Sequence, residues 1–117
     1  MTEQTINELK HVSLRLSPLG ERVLRQYTVR RGDVARVIDT ALQFILQDER
    51  AYQLTLFPRL QSGGVDLFTT SVRLSEHQHH EVARLCQHLG VSLSVFIEAA
   101  LIEADARGRL TSTRNKI

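Results

Sequence analysis

Two arginines stand out by their setting. Arg15 lies in "HVSLRLSP" (11–18), where apolar Val12, Leu14 and Leu16 alternate with Ser13, Arg15 and Ser17. Arg73 lies in "TSVRLSEH" (70–77), which repeats the pattern 58 positions later with Thr70, Val72 and Leu74 against Ser71, Arg73 and Ser75. Alternation of period two is the mark of a strand with one buried face. It puts the arginines on the other face, out of the core. A guanidinium offers five N–H donors in a planar fork. Such a fork reaches guanine O6 and N7 together, while a neighbouring serine is a permissive donor or acceptor.

A second cluster invites a metal reading. His77, His79 and His80 fall in "HQHH", with Cys86 and His88 close behind. On a helix His77 and His80 share a face, but His79 points elsewhere and Cys86 falls on an apolar stripe. No spacing matches a closed tetrahedral site. Surface histidines are therefore expected, adding positive charge as pH falls. No metal or other cofactor is expected. Nor is an enzyme, because the chain carries no Gly-rich phosphate loop, no serine elbow and no paired carboxylates.

The elements that must position the arginines are themselves duplicated. "HVSLRLSPLGERVLRQYTVRRGDVARVIDTALQ" and "TTSVRLSEHQHHEVARLCQHLGVSLSVFIEAAL" are two copies of one unit, with each arginine 17 residues before a glycine, Gly32 or Gly90. Beyond the glycines the register slips by one, so "VIDTAL" (37–42) answers "FIEAAL" (96–101). Each copy reads as strand, helix, turn, helix. Ser17 with Pro18, and Ser75, are helix-opening residues. Val82, Leu85, Cys86 and Leu89 give the first helix of the second copy one apolar face. Gly32 and Gly90 are both expected to end their helices in the left-handed conformation. Val34, Ile38, Ala41, Leu42 and Ile45 line the next helix in one copy, and Leu93, Ile97, Ala100 and Leu101 in the other. Ser92 is its expected cap and Gly108 its expected end.

The bulk numbers suit this reading. A chain of 117 residues, 42% hydrophobic and 5% aromatic, implies one domain with a modest aliphatic core. Its single cysteine excludes an internal disulfide and favours a reducing compartment. The opening "MTEQTINELK" has no charged-then-apolar targeting pattern, and no apolar run approaches a membrane span. A cytoplasmic protein is expected. Residues 10–36 hold seven basic side chains against Glu21 and Asp33, whereas 37–50 are acidic. Concentrated positive charge steers polyanions.

Strand, helix, glycine turn and helix, with an arginine between apolar strand residues, resembles the ribbon-helix-helix DNA-binding proteins of the Arc and MetJ type. Having both copies in one chain is similar to the TraY-like proteins of conjugative plasmids. The resemblance spans roughly 10–107. It implies a mainly α fold with a two-stranded antiparallel β-ribbon, β-α-α-linker-β-α-α, closing as an intramolecular pseudo-dimer. The ribbon of that family enters the major groove of double-stranded DNA. His11, Ser13, Arg15, Thr69, Ser71 and Arg73 are accordingly the expected base contacts. The family's second contact joins a phosphate to the N–H groups opening the second helix. "GVSLS" (90–94) matches it through Val91, Ser92 and Ser94. "GDVAR" (32–36) departs from it, since Asp33 repels phosphate, and Arg30, Arg31 and Arg36 are the expected compensation.

The expected organisation is an arm over 1–9, copies over 10–50 and 69–107 joined by a linker over 51–68, and a basic tail over 108–117. The expected function is transcriptional regulation, as a bacterial or plasmid repressor. One alternative is an accessory role in a DNA-transfer complex; another is a protein-interaction module of the antitoxin kind. The expected partner is duplex DNA, with no membrane, bound by a monomer that could line up on adjacent sites.

Overall fold

A computed structural model describes residues 9–30, 32–47 and 67–110. The expected linker up to 66, the arm before Leu9, the tail beyond Leu110 and the candidate Arg31 lie outside the described residues. The elements run β1 (Leu9–Leu16), α1 (Pro18–Tyr27), α2 (Asp33–Ile45), β2 (Phe68–Ser75), α3 (Glu76–Leu89) and α4 (Leu93–Ala106). The described residues are thus mostly helical with one two-stranded sheet, and among them the order strand, helix, helix occurs twice.

β1 and β2 pair antiparallel, with Val12 opposite Val72, Ser13 opposite Ser71 and Arg15 opposite Thr69. Neither strand could hold its shape alone, since a strand without a neighbour leaves its ladder groups unmet. Val12, Leu14, Leu16, Val72 and Leu74 are all buried. Above them α2 packs on α4, α2 on β2, and α4 on β1. Each copy therefore covers the strand of the other. The core is continuous from the ribbon through Ile38, Leu42 and Ile45 to Phe96, Ile97 and Leu101.

Serine opens three of the helices. The hydroxyls of Ser17, Ser75 and Ser92 accept the N–H groups of Gly20, Gln78 and Val95 respectively. Pro18 sits at the first turn of α1, where its missing N–H costs nothing. Gly108 follows α4 with φ 68°, and the Arg109 N–H closes the turn on the Ala104 carbonyl. Leu110 then folds back into the core, and Arg109 lies 5.2 Å over the Phe44 ring.

The two glycine turns differ. Gly90 has φ 73° and, with Val91, donates to the Cys86 carbonyl, so it ends α3 as its position suggests. Gly32 does not act this way. Its φ is −71°, and it is the N-cap of α2 instead. α1 has already ended at Tyr27, leaving it 10 residues long against 14 in α3. The physical reason is Asp33, whose carboxylate accepts the main-chain N–H groups of Val29 and Arg30 at 2.8 and 2.9 Å. Those bonds offer the backbone an alternative to another helical turn.

Among the described residues no single helix is long and apolar enough to cross a membrane.

Candidate nucleic-acid interface

Pairing fixes which side chains share the outer face of the ribbon. Alternation places His11, Ser13 and Arg15 beside Thr69, Ser71 and Arg73, and all six are exposed, whereas Val12, Leu14, Val72 and Leu74 on the other face are buried. The register sets Ser13 against Ser71, with Arg73 opposite His11 and Arg15 opposite Thr69. Two guanidinium groups thus flank a pair of hydroxyls on a surface two strands wide. Among the described residues neither Arg15 nor Arg73 is in an ion pair. All six residues named from sequence come together on this one surface.

The proposed phosphate contacts are placed less evenly. At the start of α4 the Val91 N–H is already donated to the Cys86 carbonyl, and the Ser92 hydroxyl accepts from Val95. The Ser94 hydroxyl accepts the main-chain N–H of Arg15 at 2.9 Å. The N–H groups of Leu93 and Ser94 have no acceptor among the described residues. They, rather than that of Val91, are the donors left for an anion.

At the start of α2 the corresponding space holds the protein's own anion. Asp33 is buried, and its hydrogen bonds to the Arg30 and Val29 N–H groups, with Arg36 nearby, hold its carboxyl below the usual carboxylate range. Arg36 is turned inward, with Nη2 3.3 Å from the Tyr27 carbonyl and Nε 3.6 Å from Asp33. Arg30 is exposed. The acidic residue that set this copy apart in sequence therefore satisfies the loop from within.

A buried contact between the two copies was not foreseen from the sequence. Glu98, 6% exposed, accepts both the N–H and the hydroxyl of Ser17. Its side chain lies where a β-carbon on Gly20 would stand, 2.8 Å from both Cγ and Cδ. A glycine inside a helix costs stability, and that was the available signal that something approaches Gly20. In the other half Asp39 takes the place of Glu98, one methylene shorter, and meets Gln78 instead. A cleft of about 600 Å³ opens there between α2 and α3, lined by Asp39, Gln43, Gln47, His77, Gln78 and Glu81.

Tyr27 donates its hydroxyl to Asp105, tying α1 to α4, and that bond, burial and the nearby charge push its pKa up to about 12. Cys86 is buried on the apolar stripe, and burial pushes its thiol up to about 11, so it is a packing residue with little thiolate character. Among the described residues no group of three or more His, Cys, Asp or Glu side chains is gathered as a metal site would need.

Searches of family models, of curated proteins and of solved structures found nothing that matches this chain.

Proposed function

We propose that this chain is a tandem ribbon-helix-helix protein that binds double-stranded DNA sequence-specifically and represses transcription. One observation carries the reading: a two-stranded ribbon whose inner face is core and whose outer face presents His11, Ser13 and Arg15 beside Thr69, Ser71 and Arg73. Such a ribbon has the width of the major groove, and each arginine fork suits a guanine edge. The N–H groups of Leu93 and Ser94, which have no acceptor among the described residues, suit a flanking phosphate. Excess positive charge over residues 10–36 adds long-range attraction to the duplex.

Selection of duplexes from a random pool, followed by affinity measurements at rising salt, tests this. The expected result is one enriched sequence and a steep fall of affinity with salt. Enrichment of no sequence would rule out base reading by the ribbon. The locus that carries the selected sequence, promoter or DNA-processing site, separates a repressor from an accessory protein of DNA transfer.

A further inference from the structure

We infer that Ser94 is a positioning residue for Arg15, and that the two arginines of the ribbon are therefore held unequally. The inference rests on the DNA-reading role proposed above. A two-stranded ribbon has no third strand, so each strand has an outer edge with unmet N–H groups. On β1 that edge is met by side chains of α4. Ser94 Oγ accepts the Arg15 N–H at 2.9 Å, and Glu98 Oε1 accepts the Ser17 N–H at 2.8 Å. Residues two apart on a strand point their N–H groups to the same edge, and residues four apart on a helix share a face. α4 thus grips the chain at Arg15 within β1 and at Ser17, the extended cap residue that follows the strand.

Among the described residues the equivalent edge of β2 lacks this grip. Under the one-residue slip between copies, Ala35 stands where Ser94 stands, and it has no acceptor. Asp39 stands where Glu98 stands, but its oxygens accept from Gln78 and Gln43 at 3.1 and 2.9 Å. Arg15 is therefore presented from a fixed backbone and Arg73 from a looser one. A pre-organised donor loses less freedom on binding and discriminates more sharply.

The test uses the full chain and the duplex selected by the wild type. Arg15→Ala and Arg73→Ala identify the base pair each arginine reads. At fixed salt, Ser94→Ala should then lower discrimination about three- to tenfold at the Arg15 base pair and leave the Arg73 base pair unchanged. Ser94→Thr should restore it, and Ala35→Ser should raise discrimination at the Arg73 base pair. Equal losses at both base pairs, or none, would overturn the inference. Amide hydrogen exchange of the free protein provides a readout independent of DNA. The Arg15 N–H should exchange more slowly than that of Arg73, and Ser94→Ala should abolish the difference. Equal exchange in the wild type would refute the grip even if the ribbon reads DNA. Slow Arg15 exchange in a protein that selects no sequence would instead refute the DNA-reading role.

Discussion

Arg73 lies directly across the ribbon from His11, whereas its counterpart Arg15 lies across from Thr69. Ser13 faces Ser71, its own counterpart, so the local twofold of the ribbon passes through that pair. On the exposed face only His11 and Thr69 break the symmetry. A homodimer must present identical strands and favours a palindrome, but a fused pair is free of that constraint. An imperfect inverted repeat is expected, alike at positions read by Arg and Ser and unlike toward one end. His11→Thr should make the selected site more symmetric. A wild-type site that is already a perfect palindrome, unchanged by this substitution, would show that the outer face is wrongly assigned.

Core and outer face should separate cleanly on mutation. Leu14 and Leu74 are 0% and 2% exposed on the inner face. Replacing either with Ala should cost about 2–5 kcal/mol in denaturant unfolding. Arg15→Ala and Arg73→Ala should leave stability nearly intact, while each removes about 1–3 kcal/mol of base discrimination. Equilibrium unfolding and competition binding on the same variants distinguish the two effects.

Asp33 should contribute to the acid limb of stability. Its folded pKa is depressed by the Arg30 and Val29 N–H bonds, so the carboxylate binds its proton less readily folded than unfolded. Its contribution is full above the ordinary carboxylate range and disappears as pH falls through that range to the lower folded value. Asp33→Asn keeps an acceptor but no charge, and should flatten this part of the melting-temperature profile between neutral and strongly acidic pH. A profile with the wild-type slope would show that the Asp33 charge does not couple to folding.

Gly20 and Glu98 should behave as a coupled pair. A β-carbon at Gly20 would stand 2.8 Å from the Glu98 side chain, which is held in place by Ser17. Gly20→Ala should therefore destabilise by about 1–3 kcal/mol, despite the better helix propensity of alanine. In a Glu98→Ala background both Cγ and Cδ are gone, and the same substitution should cost less. A double-mutant cycle with no coupling would show that the close approach relaxes freely.

The repeated alternation in 11–16 and 69–75 determined both strands, their inner and outer faces, and the six outer side chains His11, Ser13, Arg15, Thr69, Ser71 and Arg73. That much follows locally, because a strand has period two whatever it packs against. Ser17, Ser75 and Ser92 likewise announced three helix starts, since a capping hydroxyl needs only the next turn of its own chain. The tertiary structure decided the register, the asymmetry and the order of the first turn. Gly32 and Gly90 are equally spaced in the chain, yet only Gly90 adopts the left-handed conformation, because the Asp33 carboxylate takes the amides of Val29 and Arg30. The bonds from α4 to Arg15 and Ser17, through Ser94 and Glu98, join residues about 80 positions apart. No local periodicity encodes such a pair. It exists only because each copy lays its second helix across the strand of the other.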